Sequence, residues 1–338
     1  MLKIMPHLRL WLRLQAGAQV LPLLAASEET LVGGQAVMEG VMMRSPHAWA
    51  IAVRRPAKEE GAAGEIVLHS EMLDKPSVKR KFWGWPLLRG LATLGQSMSL
   101  GIRALQFSTN VALEEMPVNE EGKTLQLSGW VMGVNLGISL LFFLFMYKYL
   151  PLLAATQLKA HFAIFRNYLL FNLLDGGIRL GLFLSFLWGI SLWPDIRRTF
   201  EYHGAEHKTV FAFEAGEELT PENVQRHSTL HPRCGTSFLI TVMLFSILVY
   251  ACFPFESFWM KFAVRIVMLP FIAAVSYEIL RFAAKHRGSL FALMTVPGLW
   301  LQRITTRQPD DAQAECAIAA LNESMSLEEQ SGGRRVLA

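Results

Sequence analysis

The residues best suited to chemistry fall in one stretch, WPDIRRTFEYHGAEHKTVFAFEAGEELTPENVQRHSTLHPRCGTSF, from Trp193 to Phe238. Four of the nine histidines lie there, with Cys234 beside them. Pro194 suits the first turn of a helix and Gly216 its end, so one helix should carry His203, Glu206 and His207. Side chains four apart share a helix face. With Glu206 the order is H-x-x-E-H, the spacing of the inverted zinc-peptidase motif, in which two imidazoles hold zinc and a carboxylate activates water. His203 and His207 are therefore expected to ligate a divalent metal, zinc first among candidates, with Glu206 as the catalytic base.

Such a site needs a third protein ligand. Glu278 is one candidate, since a carboxylate at membrane depth is costly without a partner. The plainer alternative is an ion pair of Glu278 with Arg281, Lys285 or Arg265. His227, His231 and Cys234 supply further candidates in an H-x3-H-x2-C spacing, downstream of a helix start at Thr220-Pro221-Glu222. They would form a second metal cluster, lend a ligand to the first, or make only a hydrogen-bonded turn around Pro232 and Gly235.

The elements that must position these groups are mostly apolar helices. The chain has 338 residues, 52% hydrophobic and only 18% charged, with mean hydropathy +0.30. Soluble domains usually carry about a quarter charged residues. Disorder, a coiled coil and a small disulfide scaffold are excluded, the last also by three cysteines of which Cys252 sits in an apolar run. A net charge of +4 gives little reason to expect nucleic acid as a partner. The expected partner is the bilayer, in an integral, mainly α-helical membrane protein with a small cytoplasmic α+β part.

Four spans are expected, at 125–155, 167–193, 236–255 and 262–282, the last kinked by Pro270. Asp175 and Arg179, four apart in the second, should pair on one face. With the first span's uncharged run counted from Leu125 to Tyr147, basic residues sort by side: 26 fall in the segments placed inside and four (Lys148, Lys159, Arg166 and Lys261) in those placed outside. That puts both termini and the 194–235 loop in the cytoplasm. Around the spans, residues 1–30 read as a basic apolar extension and 31–85 as a β-containing unit with runs such as AWAIAVRRP. Residues 86–116 read as an amphipathic or interfacial helix, 283–305 as an interfacial segment and 306–338 as a loose polar tail. GGQAVMEG, from Gly33, lacks the spacing of a nucleotide-binding loop.

GGQAVMEGVMMR, PLLRG at Pro86, YHGAEHKTV at Tyr202, LTPENVQRHSTLHPRCGTSF and SYEILR at Ser276 together resemble the YqhQ-like family of bacterial membrane proteins, a domain of unknown function classed as a metal-dependent enzyme. The resemblance runs from about residue 31 to 305. It implies residence in the bacterial inner membrane and roles for Glu39, Arg44, His203, Glu206, His207, His227, His231, Cys234 and Glu278. Three functions fit: a metal-dependent, hydrolytic membrane enzyme with its site at the cytoplasmic face, a non-catalytic scaffold with a structural zinc site, and a transporter.

Overall fold

Strands β1 (Gly33–Val37), β2 (Gly40–Arg44), β3 (Ala48–Arg54) and β4 (Ile66–Met72) pair antiparallel in the order β1-β2-β3-β4. These coordinates come from a computed structural model that describes residues 32–56, 64–73, 85–113, 129–285 and 296–330; the 1–30 extension lies outside them. Alternation along the strands sends Val41, Met43 and Ala52 to one face and Met42, Trp49, Ile51 and Val53 to the other. The β3 run is apolar throughout because both faces are covered. Leu100, Ala104 and Val111 of helix α1 (Leu88–Leu113) cover one. Tyr202, Ala205, Ala317, Ala320 and Leu321 cover the other, from α5 (Pro194–Glu214) and α11 (Asp311–Gln330).

Helix α11 corrects the expectation of a loose tail. Its buried stripe is built from Ala314, Cys316, Ala317, Ala320, Leu321 and Met325. Alanines add little hydropathy, so the segment reads as polar, yet their small side chains let the helix lie close on the sheet. Cys316 Sγ donates to Ala52 O at 3.2 Å, and burial pushes its thiol pKa up to about 12. Arg54 reaches Ala312 O at 2.8 Å and Glu315 at 2.9 Å.

The far end of α11 is clamped by Glu328, which accepts from Ser45 Oγ at 2.9 Å and His47 N at 2.8 Å and meets His47 Nδ1 at 2.6 Å. Burial alone would raise this carboxyl, but the bonds from His47 and Ser45 hold it below its ordinary 4.5. A depressed carboxylate stabilises the fold fully above its unfolded pKa and stops doing so as pH falls through the folded value. Protection of the β3 amides, taken relative to their intrinsic exchange rates at each pH, should therefore fall on acidification below the ordinary carboxylate range. In Glu328→Gln that acid step should disappear; an unchanged profile would remove the clamp from the account.

Among the described residues, two helices are long and apolar enough to cross a membrane. Gly133–His161 runs 29 residues and Tyr168–Ile190 runs 23. The first comprises α2 (Gly129–Leu144), a π turn over Phe145–Tyr149 and α3 (Leu150–His161). The second is α4 (Tyr168–Ile190), whose start is capped by Asn167 Oδ1 accepting from Leu169 N at 3.0 Å and Leu170 N at 3.2 Å. Helices α8 (Phe258–Val267) and α9 (Leu269–Lys285) pass only as one span bent by 47°. Pro270, just past the break, has no N–H to continue the ladder. Helix α7 (Gly235–Ala251) is apolar but only 17 residues long, below the ~20 that cross a full bilayer. Among the described residues, length and composition alone thus mark two spans, or three if the bent pair is one.

Lys148, expected in an outer connection, lies inside the first helix, buried. Asp175 and Arg179 do pair on α4, and Arg265 joins them at 3.0 Å. Helix α10 (Val296–Thr305) packs on α7, where a Cβ on Gly298 would lie 2.2 Å from Ser237 Oγ.

Candidate metal centre

Helix α5 begins with Pro194 in its first turn, and Gly216, at φ 68°, follows its end in the left-handed conformation that glycine adopts without strain. The helix lies on β1, β2 and α11. Its H-x-x-E-H face places the rings of His203 and His207 4.5 Å apart. Cys234, at the N-cap of α7, completes a group in which one ligand atom from each residue lies within 4.8 Å of the others. His203 Nε2 is 3.3 Å from Cys234 Sγ, and Thr236 N donates to that sulfur at 3.4 Å.

Both rings are oriented by backbone carbonyls. His203 Nδ1 bonds Thr305 O at 2.8 Å, and His207 Nδ1 bonds Thr229 O. A carbonyl only accepts, so each Nδ1 carries the proton and each neutral ring presents a bare Nε2. This is how metal-ligating histidines are commonly held. His207 is 1% exposed, and its Nε2 has no hydrogen-bond partner among the described residues. A lone pair buried this way lacks the compensation that buried polar atoms ordinarily find. Two imidazoles and a thiol are the donor set of zinc, and the residues fit such an ion.

Glu206 is 6% exposed. Its Oε1 accepts from Gly34 N at 3.0 Å. Its Oε2 lies 3.9 Å from His203 Nε2 and 3.7 Å from His207 Nε2. The β1–β2 hairpin therefore aims the carboxylate at the group. Gly34 is required by closeness: a Cβ there would come within 2.8 Å of Glu206 Cγ and 2.5 Å of Met42 O. Lys208 Nζ fastens the loop before Cys234 by bonding Gln225 O and His227 O, each at 2.7 Å. Gln302, fully buried on α10, exchanges two 2.8 Å bonds with the backbone of His231.

The other expected site residues lie elsewhere. Glu278 is corrected as a third ligand. Arg89 forks across both its carboxylate oxygens, with Nε to Oε1 at 2.7 Å, so the ion-pair alternative holds with a partner from α1 rather than Arg281, Lys285 or Arg265. The H-x3-H-x2-C residues do not form a cluster of their own. His227 Nε2 meets Glu217 at 3.1 Å. His231 packs on Phe211 and on His207, with the two imidazole ring centres 5.6 Å apart, but its Nε2 lies 3.6 Å from Glu214; of the three, Cys234 alone joins the ligand group of the α5 pair. Glu39, at φ 53° in the hairpin turn, accepts from Arg198 Nη2 at 2.7 Å and Tyr202 Oη at 3.3 Å. The bond to Glu39 raises the Arg198 pKa, while burial first and then the Glu39 charge raise that of Tyr202. Arg44 donates to Gln96 at 2.7 Å. These last contacts fasten sheet to helices. Gly34, Lys208, Thr229, Gln302 and Thr305 were not singled out from sequence; of these only the Gly33-Gly34 pair gave any signal, as a loop of the wrong spacing for phosphate.

A four-stranded sheet held between helices, two or three apolar helices long enough to cross a membrane and a His-His-Cys group define a mainly helical protein with a buried polar centre. The model of a family described as a protein of unknown function (DUF1385) matches residues 85–327, and the chain belongs to that family. It is 33% identical over 306 residues to the uncharacterized protein YqhQ of Bacillus subtilis (strain 168), covering 88% of this chain and 92% of that protein. No solved structure matches.

Proposed function

We propose that the chain is a metal-dependent hydrolytic enzyme of the bacterial inner membrane, with His203, His207 and Cys234 as the metal's protein ligands and Glu206 as the base. The observation that carries this reading is the convergence of two bare Nε2 atoms and a thiol beside a carboxylate held by its other oxygen. A divalent metal held there would supply Lewis acidity at neutral pH. Glu206 Oε2 takes the proton from the attacking water, and the Gly34 N–H fixes that oxygen's direction through Oε1. A peptide or lipid-linked substrate suits a site close to the apolar helices.

In this reading the chain crosses four times and holds the site at the cytoplasmic face. The basic asymmetry supports this, and with Lys148 and Lys261 buried the outer side holds still fewer charges. Packing supports it too. The sheet, α5 and α11 share one core, so crossings between residues 72 and 194, and between 214 and 311, come in even numbers. Helix α7 then crosses together with the α8–α9 pair, or neither does.

A second reading has its own support: Glu206 Oε2 is near enough to both imidazoles to serve as a fourth ligand, which would close the site and make it structural. Metal analysis of detergent-purified Glu206→Gln divides the two. A base predicts full metal content and membrane abundance with failure to complement a deletion. A fourth ligand predicts lost metal. A Glu206→Gln chain that keeps its metal and complements fully would end the catalytic assignment.

A further inference from the structure

Helix α7 starts at the His-His-Cys group and ends at a second buried polar cluster. Cys234 caps its first turn and Tyr250 lies in its last, about 24 Å further along at 1.5 Å per residue. Around Tyr250 stand Lys148 Nζ at 5.5 Å and the Arg179 and Arg265 guanidiniums, each at 5.2 Å from the ring centre. Lys261 Nζ lies 4.2 Å over the Phe171 ring. These four cations are each at most 8% exposed. Among the described residues only one carboxylate, Asp175, is in ion-pair contact with any of them. One oxygen of Asp175 is shared by Arg179 and Arg265, and the other has no hydrogen-bond partner. Arg179 Nε and Arg265 Nε have none either. Lys148 makes one bond, to Tyr250 Oη at 3.1 Å.

Four buried basic side chains with one carboxylate in contact, and Glu256 acting on Lys261 only from beyond contact, is a costly imbalance among apolar helices. Burial of ions is offset by pairing, and the donors left over define what is missing: a group with negative charge and several acceptor oxygens. A narrow cleft lined by Tyr168, Asn172, Tyr250, Lys261 and Arg265 opens beside two of the four, Lys261 and Arg265. Phe253 and Phe255 border it, so one side is apolar. We propose that this cleft binds a phosphate-type anion, with Lys261 and Arg265 as its charged contacts and Tyr168, Asn172 and Tyr250 as polar neighbours. The phosphate comes from a lipid head group or from solution. The site is separate from the His-His-Cys group and stands or falls independently of it.

The test uses the detergent-purified full chain and the same chain in nanodiscs. Inorganic phosphate is titrated at constant ionic strength against thermal unfolding, and nanodiscs of phosphatidylglycerol are compared with phosphatidylcholine. Binding to the folded state alone should raise the midpoint by a few degrees at saturation. Lys261→Gln should lose that rise, and Lys261→Arg, which keeps the charge, should keep it. A rise with inorganic phosphate assigns a soluble anion; a rise only in phosphatidylglycerol, with that lipid enriched in mass spectra of the wild-type chain, assigns a head group. No rise with either overturns the proposal, as does an equal rise in Lys261→Gln. The mass-spectral arm needs no variant, so poor accumulation of Lys261→Gln does not block the test.

Discussion

His207→Ala is expected to strip the protein of its metal, from about one ion per chain to about none, because a three-ligand centre does not survive loss of its most buried ligand. His207 is 1% exposed, and its Nδ1 is spoken for by Thr229 O. The nearest other histidine, His231, has its ring centre 5.6 Å from that of His207 but lies outside the ligand group with its Nε2 toward Glu214, and His227 is turned toward Glu217. Elemental analysis of purified protein reads the loss directly. His227→Ala and Glu278→Gln, made beside it, should keep their metal, since Glu217 and Arg89 hold those side chains outside the group. Full metal content in His207→Ala would refute the ligand set, and loss of metal in Glu278→Gln would restore the carboxylate that the Arg89 fork removes.

The second large effect is expected from one methyl group. Gly204 lies between His203 and Glu206, with α5 pressed against the segment after α10. Arg307 N donates to Phe200 O at 2.9 Å, and a Cβ on Gly204 would stand 1.9 Å from Arg307 O and 3.3 Å from Thr229 Cγ2. The first obstacle is backbone and cannot rotate away. Gly204→Ala must therefore push off residues 305–307 and crowd Thr229, the two places whose carbonyls orient His203 and His207. Overpacking of this kind costs about 1–3 kcal/mol, and loss of ligand orientation lowers metal affinity by about 10–100-fold. Gly181→Ala on α4, where a Cβ meets nothing within 4 Å, is the control and should be nearly silent. Should Gly204→Ala match it in thermal midpoint and metal affinity, the close approach of these backbones would be disproved.

What could be read from sequence was governed by local geometry. Pro194 and Gly216 bounded α5, Thr220 capped the short helix at Pro221, and the four-residue spacings of His203 with His207 and Asp175 with Arg179 became contacts. Each depends only on helical pitch. Strands β3 and β4 were legible as the runs AWAIAVRRP and GEIVLHSEM, whereas β1 and β2 lie in a segment read only as Gly-rich. Contacts set by packing were not. Cys234 and His203 are 31 residues apart, and Arg89 and Glu278 are 189 apart; nothing local singles out one partner over its neighbours. Glu278 drew attention for the right reason, the cost of a lone carboxylate, but the compensating charge came from α1. Helix α11 was missed because a stripe of alanines carries little hydropathy, and Gly204 because a missing side chain leaves no chemical mark.

The seating of α11 on β3 also orders events in time. The strands leave the ribosome first and α5 follows to cover β1 and β2, yet the helix seated on β3 begins only at Asp311. At ~5–20 residues per second, the ~250 residues between them take roughly 10–50 s to make. Throughout that interval the apolar helices are being placed while β3 holds one face without its cover, the condition under which strands find wrong partners. Translation that stops short of Asp311, or a cut before it, therefore leaves an open sheet in water rather than a shorter working protein.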